Sequence, residues 1–179
     1  MRTGYSYKEI IMDDKNTKFK TELFDNNESA EKAYDEAIAK GYKAEEINVL
    51  MSEASKKKYY DSPLVTEQGD KSMDGLGIGG ATGGAIGGII AAIAAIGTSI
   101  VIPGLGLVIA GPLAAGLAGA GAGSIAGGLI GSLIGWGIPE DRARVYEKGL
   151  QSGGIVLGVN EHPQRPIEND WKKYRNKDL

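Results

Sequence analysis

The sequence predicts an α+β protein in which a small ferredoxin-like domain is interrupted by a long α-helical hairpin. Alternating apolar and polar residues near the start predict two strands around an amphipathic helix, and a helix and a strand are predicted near the end. No charged residue lies between Asp74 and Glu140, and this stretch holds 21 of the chain's 28 glycines. A glycine-rich block without charge is typical of helices that pack closely in an apolar setting. We therefore expect the two outer parts to share one core, with the block as an insertion.

The first part of the domain, residues 17–53, is predicted to be strand, helix and strand. Its helix has N-cap chemistry at Asp25-Asn26-Asn27 and a C-terminal cap at Gly41. Apolar residues recur at helical spacing between these ends, whereas the flanking segments alternate with a period of two. The alternating positions are Phe19, Thr21 and Leu23 in the first strand, and Ile47, Val49 and Met51 in the second.

The second part, residues 139–162, is predicted to be a helix followed by a strand. Pro139 suits the first helical position, and Gly153-Gly154 ends the helix. The apolar positions are Ala143, Tyr146 and Leu150 in the helix, and Ile155, Leu157 and Val159 in the strand. The remaining segments are an N-terminal extension at 1–16, a mobile polar linker at 54–74 and a C-terminal tail at 163–179. We expect the tail to be peripheral, although Ile167, Trp171 and Tyr174 fit one side of a short helix.

These parts leave a ferredoxin-like sheet one strand short. The missing strand could come from residues 5–12, from Leu64-Val65-Thr66 or from another subunit, and the sequence leaves this choice open. The two parts together contain only about 60 residues, a size at which a lone core is marginal.

The central block, residues 75–138, predicts a glycine-zipper helical hairpin. Four-residue spacing indicates helices over 75–102 and 112–136, each long enough to cross a hydrocarbon core of about 30 Å, with a nine-residue tip between them. Glycines four apart lie on one face, so each row is a groove that another backbone can approach closely. The predicted packing glycines are Gly75, Gly79, Gly83 and Gly87, with Gly80, Gly84 and Gly88 beside them, and Gly119, Gly123, Gly127, Gly131 and Gly135 in the second helix. The opposite side of the second helix is aliphatic, with Leu129, Ile130, Leu133 and Ile134.

The flanks of this block predict an orientation in a membrane. Lysines and arginines border the hairpin and its tip carries no charge, so the positive-inside rule places the soluble domain on the cytoplasmic side of the inner membrane. Trp136 is a candidate interfacial anchor, and Lys56, Lys57 and Lys58 are candidates for contact with anionic lipid headgroups. The apolar tip argues against a simple spanning hairpin, because nothing in it requires water. The alternative is a cytoplasmic, soluble assembly in which the hairpins bury one another.

The residue types argue against catalysis and against nucleic acid as a partner. A formal net charge of −3 does not supply the basic face that phosphate backbones require. The chain has no cysteine and one histidine, His162, so neither thiolate chemistry nor a histidine-based metal site is expected. Residues 75–80 match G-x-G-x-x-G, but no strand precedes them and the glycines continue at four-residue spacing. We therefore predict no enzyme activity, no cofactor, no metal and no small-molecule substrate.

The sequence also resembles a known family. Over about residues 19–160 it is similar to the bacterial general stress and low-temperature-induced protein family, which has a heat-induced stress protein-like domain. The resemblance rests on the segments ELFDNNESAEKAYDEAIAKGYKAEEINVLMSE, GATGGAIGG, IPGLGLVIAGPLAAGLAGAGAGSIAGGLIGSLIGWGIPED and YEKGLQSGGIVLGV. It implies stress-linked expression and a membrane-like glycine zipper, but no established activity, cofactor or catalytic residues.

Pattern and resemblance together predict a non-enzymatic protein that forms homo-oligomers through its hairpin. Its expected role is to associate with the membrane during stress, where it stabilises or remodels the bilayer. The alternative is a soluble homo-oligomeric scaffold or cage-like assembly whose hairpins are buried against one another.

Overall fold

The computed structural model describes residues 18–60, 88–89, 99–102, 106–114 and 128–175. The strands are β1 (Lys18–Phe24), β2 (Asn48–Ser52), β3 (Ser99–Ile102), β4 (Leu107–Ala110) and β5 (Ile155–Glu161). The helices are α1 (Asn27–Ala39), α2 (Glu53–Tyr59), α3 (Gly128–Gly135), α4 (Glu140–Gln151) and α5 (Glu168–Trp171), with a 3₁₀ turn at Ala44–Glu46. Residues 88–89 and 112–114 are also helical. All five strands form one antiparallel sheet in the order β1-β5-β2-β4-β3.

The predicted α+β class is confirmed, and the two outer parts of the chain do share one sheet. β5 pairs with β1 on one side and with β2 on the other, so the last strand lies between the first two. The predicted helix ends are also present. The Asn26 side chain accepts a hydrogen bond from the Ser29 backbone N–H at 2.9 Å, and Gly41 follows α1 with φ 86°. Pro139 is the N-cap of α4, one position before the predicted one.

Among the described residues, the strands that join β1, β5 and β2 come from the central block. Two of the expected sources, residues 5–12 and Leu64-Val65-Thr66, lie outside the described residues. β3 and β4 form an antiparallel pair, and β4 pairs with β2 through contacts such as Met51 with Val108. The prediction of helix up to residue 102 and of an apolar tip at 103–111 is therefore wrong for these residues. The sequences SIVI and LVIA are short apolar runs rich in β-branched residues, which a buried strand favours. Residues 75–87, 90–98, 103–105 and 115–127 of the predicted hairpin lie outside the described residues.

Helices cover both faces of this sheet, whereas the ferredoxin-like plan places both helices on one face. Leu50 and Val156 pack in a core with α3 and α4, which we call the α4 core. Their neighbours Met51 and Leu157 point to the other face, into a core with α1 and α5, which we call the α1 core. The strands β2, β4 and the first five residues of β5 are apolar or buried on both faces, so each face needs its own helical layer. The sheet order also places β1 at an edge.

The segment predicted to be a mobile linker and the tail predicted to be peripheral both contribute residues to the core. The linker begins as helix α2 and ends its described part at Tyr60, which is buried. In the tail, Ile167 and Trp171 are both buried in the α1 core. The indole Nε1 of Trp171 donates to the carbonyl of Ala33 at 2.9 Å, and its ring packs edge-on against Phe24 with centroids 6.1 Å apart. The short helix suggested by these aromatic residues is present, but it is a structural element and not a loose tail.

Candidate functional site

Three of the twelve glycines predicted to pack helices lie among the described residues: Gly88, Gly131 and Gly135. The predicted membrane-interface residues Trp136 and Lys56, Lys57 and Lys58 are described as well. The other nine lie outside the described residues: Gly75, Gly79, Gly80, Gly83, Gly84, Gly87, Gly119, Gly123 and Gly127. The structure therefore locates one predicted packing glycine of the first helix and two of the second.

Gly88 packs against α1 of the folded domain. A Cβ atom built on Gly88 would lie 3.0 Å from the Asp35 carboxylate and 3.0 Å from the Tyr34 ring, which is closer than ordinary packing. The next residue, Ile89, is completely buried in the α1 core. Glycine at 88 thus lets this backbone lie directly on α1 and places Ile89 in the core. This contact is with α1 of the folded domain, and the predicted packing of the glycine row within the hairpin stays a prediction.

The buried carboxylate of Glu31 holds this contact from the α1 side. It accepts a hydrogen bond from the Ile89 backbone N–H at 3.1 Å, and Glu31 is only 3 % exposed. The Tyr60 hydroxyl lies 3.2 Å from the other Glu31 oxygen and 2.5 Å from the Asn27 side-chain oxygen. Because a hydroxyl has one hydrogen, it cannot donate to both acceptors. With Glu31 ionised, the Tyr60 hydroxyl therefore donates either to Glu31 or to Asn27, whereas a protonated Glu31 has its own hydrogen to offer to the Tyr60 oxygen.

Burial raises the pKa of Glu31 from 4.5 to about 7, opposed by the hydrogen bonds from Ile89 and Tyr60 and supported by the nearby charge of Asp35. Burial also raises the pKa of the Tyr60 hydroxyl, which contacts the carboxylate, and the pKa of the Tyr34 hydroxyl, and the charge of Glu31 acts in the same direction on both. Ionisation at neutral pH therefore weakens this cluster. A proton held here couples the docking of residues 88–89 to pH.

Stability should consequently fall as the pH rises from about 4.5 to about 7. In this pH range the folded protein binds more protons at Glu31 than the unfolded chain does. The raised pKa of Glu31 corresponds to a loss of roughly 3 kcal/mol in the free energy of unfolding across the range. Glu31→Gln should remove this pH dependence, because an amide donates to Tyr60 and accepts from Ile89 without titrating. Urea denaturation of both proteins at pH 5 and pH 8 measures the difference.

The control for this experiment is Glu28→Gln on the same helix. Glu28 is exposed, and its hydrogen bond with Lys32 lowers the carboxyl pKa, so its titration lies below the window. The difference in free energy of unfolding between the wild type and Glu28→Gln should be the same at both pH values. If Glu31→Gln behaves like Glu28→Gln, Glu31 does not hold the proton.

Helix α3 has its aliphatic side on the sheet and its glycine side facing outward. Leu129 and Leu133 are buried in the α4 core. Gly131 follows Leu129 by two residues and Gly135 follows Leu133 by two residues, so each glycine lies about 200° around the helix from its leucine. A Cβ built on either glycine would have no described atom within 4 Å. Leu129 and Leu133 thus lie opposite the glycines as predicted, but the protein's own sheet covers them. Ile134, predicted to lie on the same aliphatic side, is 43 % exposed and does not pack on the sheet.

The remaining predicted residues lie at the ends of α2 and α3. Trp136 follows α3 and is half-buried against the α4 core. Lys57 and Lys58 are exposed on α2, and the Lys58 ammonium lies 4.9 Å from the centre of the Tyr59 ring. The structure does not bring Trp136 together with these lysines in a contact among the described residues. Their role at a membrane interface stays a prediction.

Sequence reasoning did not identify Glu31 or Tyr60 as part of the site. A signal was present, because Asn27, Glu31 and Asp35 follow one another at four-residue spacing along α1 and lie beside its apolar face. A carboxylate in such a border position is usually solvated. Here the carboxylate is buried and accepts a hydrogen bond from Ile89, which is 58 residues away in sequence.

Within the described ranges, no three His, Asp or Glu side chains come together as a metal-binding group. Across the same residues, no helix has both the length and the apolar character needed to cross a membrane. Comparison with known proteins gives no match to this chain among protein-family models, curated proteins or solved structures.

Proposed function

We propose that this protein is a non-enzymatic, self-assembling protein that associates with the bacterial inner membrane during stress and stabilises or remodels it. The observation that carries the proposal is the outward glycine side of α3 at Gly131 and Gly135, which we call the glycine face. The role under stress and at the membrane rests on the family resemblance. We also propose that the glycine rows outside the described residues extend this face in a glycine-zipper helical hairpin.

Physical chemistry supports self-association at the glycine face. Helices with small residues four apart can bring their backbones close together, which gains many van der Waals contacts at once. Glycine in a helix otherwise costs about 1 kcal/mol relative to alanine, so Gly131, which is half-buried, and Gly135, which is exposed, lower the stability of an isolated α3. Contact with a second helix offsets that cost. A second copy of the chain brings the same surface, as expected for a symmetric homo-oligomer.

Substitution of both glycines by leucine should separate assembly from folding. In Gly131→Leu/Gly135→Leu the new side chains meet no described atom, so the fold should keep its stability or gain about 1 kcal/mol from better helix propensity. The same side chains hold a second helix away, and the oligomer should dissociate. Light scattering gives the mass, and urea denaturation gives the stability.

The matched control is Ile134→Leu, an exposed position on the same helix with an exposed fraction of 43 %. This substitution preserves the volume of the side chain and leaves both glycines in place. The oligomer should therefore have the same mass as that of the wild type. A wild-type monomer in both buffer and detergent would contradict the proposal. An oligomer that persists in the double leucine variant would contradict the role of the glycine face.

The soluble, cytoplasmic assembly is the second candidate, and one observation favours it. Ile89, β3, β4 and α3 of the central block are all packed on the folded sheet. Flotation of the purified protein with liposomes distinguishes the two candidates. Protein that rises with the vesicles supports the membrane role, whereas an oligomer that stays at the bottom of the gradient supports the soluble assembly.

A further inference from the structure

A charged cavity lies beside the edge strand β1, between α4 and the segment that follows α5. Its volume is about 240 Å³. Four cationic side chains and two carboxylates line it: Lys20, Arg142, Lys172, Arg175, Glu22 and Glu168. The lining therefore has a surplus of two positive charges, in a chain whose formal net charge is −3. A surplus of this sign in a concave site favours an anionic ligand.

The two lysines form one side of the cavity and are paired with one carboxylate. Lys20 and Lys172 both form ion pairs with Glu168, the second at 2.7 Å. The hydrogen bonds from Lys172 and Lys20 lower the pKa of Glu168 to about 2. Glu168 is therefore ionised at neutral pH, and it compensates for only one of the two ammonium groups.

The two arginines have hydrogen-bond donors that no described residue uses. Arg142 donates through Nη2 to the Thr21 carbonyl at 2.7 Å and to the Tyr146 hydroxyl at 2.8 Å. These contacts fix the direction of its guanidinium, while Nε and Nη1 have no acceptor among the described residues. The guanidinium of Arg175 likewise donates to no described residue. Its nearest carboxylate oxygen, on Glu22, lies 3.8 Å away, too far for a hydrogen bond.

Glu22 attracts both arginines toward the cavity. Its side chain is only 8 % exposed and lies 3.9 Å from Arg142 and 3.8 Å from Arg175. Burial raises the pKa of Glu22, and the charges of Arg142 and Arg175 act in the opposite direction. These separations leave room for ligand oxygens to bind the guanidinium groups. The carboxylate thus orients the cations without occupying their donors.

We propose that this cavity binds the phosphate group of a phosphate monoester, held by the free Nε and Nη1 donors of Arg142 and by the forked donors of Arg175. Guanidinium groups match phosphate oxygens in geometry and bind them through short, charge-assisted hydrogen bonds. The surplus of two charges matches a phosphate dianion better than a single carboxylate. The ester belongs either to a small soluble molecule or to a lipid headgroup, since both present the same terminal phosphate.

Arg175→Gln is the decisive variant, because it removes one fork and no hydrogen bond among the described residues. Titration calorimetry with glycerol phosphate should show binding to the wild type and about tenfold weaker binding to Arg175→Gln. Arg144→Gln is the control: Arg144 lies on α4 outside the cavity, is exposed and pairs with Glu140 at 2.6 Å. It removes the same charge and should bind as the wild type does. Thermal unfolding checks that both variants are folded.

Vesicles of phosphatidic acid, compared with vesicles of phosphatidylcholine, identify the source of the phosphate. Binding of glycerol phosphate alone indicates a soluble ester. Arg175-dependent binding of phosphatidic acid vesicles indicates a lipid headgroup. The proposal would be overturned if the wild type bound neither probe at millimolar phosphate. It would also be overturned if Arg175→Gln and Arg144→Gln lost the same affinity for the probe. The mass of the oligomer should be the same in Arg175→Gln and the wild type, because the cavity does not include the glycine face.

Discussion

Replacing Gly111 with alanine is expected to lower the free energy of unfolding by about 3 kcal/mol or more. Gly111 follows β4 with φ 96°, a left-handed conformation that side chains disfavour. A Cβ there would lie 2.4 Å from the backbone carbonyl oxygen of Ile47 and 3.0 Å from the Cα of Asn48. Backbone atoms cannot rotate aside, so β4 would have to move away from β2. Urea denaturation measures the loss.

Gly106→Ala is the control for this prediction. Gly106 precedes β4 and also has a positive φ, 59°, but the nearest atom to a built Cβ is a Glu53 oxygen at 4.0 Å. Its cost should be limited to backbone strain, about 1 kcal/mol. Equal losses in the two variants would show that the crowding at Gly111 has no effect on stability, contrary to the prediction.

Replacing Trp171 with alanine is expected to cost about 3–5 kcal/mol. The indole is 1 % exposed, packs on Phe24 and donates to the Ala33 carbonyl. Its removal leaves a large void in the α1 core and an acceptor without its partner. Thermal or urea unfolding followed by circular dichroism measures the change, since the indole itself is removed as a fluorescent probe.

Lys173→Ala, two residues further along, is the control for the tryptophan variant. Its side chain is 64 % exposed and pairs only with Asp170 at the surface. The expected change is within about 0.5 kcal/mol. If Trp171→Ala unfolded at the same midpoint as the wild type, the C-terminal segment would be peripheral, as its polar composition predicts.

The sequence predicts the local structure of the outer parts well. β1, β2, β5, α1 and α4 are all found close to their expected positions. Asn26 and Gly41 act at the ends of α1 in the way their chemistry requires. These features are local, because a cap or an alternating strand depends on residues a few positions apart.

The sheet topology could not be predicted because it depends on contacts between distant segments. The runs SIVI and LVIA fit either a buried strand or part of an apolar helix, and short apolar runs do not distinguish the two. The glycine spacing around them favoured the helix. The sequence did contain a sign that the sheet has a core on both faces. Leu50 and Val156 alternate with the residues predicted to face the core, and they are just as apolar as those residues.

The candidate sites show the same limit. Helical geometry alone places the glycines and the leucines on opposite sides of α3. It does not determine which of these sides the sheet covers. The proton site at Glu31 requires Ile89, and the charged cavity joins Glu22 to Arg142 and Arg175. Pairs separated by tens of residues leave no periodic trace in a single sequence.

The place of β5 in the sheet has a consequence for the newly made chain. Of the described strands, β1 and β2 are synthesised before β5, yet they do not pair with each other, and each pairs with β5. Lys18 cannot meet its partner Glu161 until the 142 residues between them have been synthesised. Until then the apolar strands and the glycine-rich block emerge without the strand that closes the sheet. The three-strand arrangement β1-β5-β2 can therefore form only after β5 is made, and closing this long loop carries an entropic cost that slows folding.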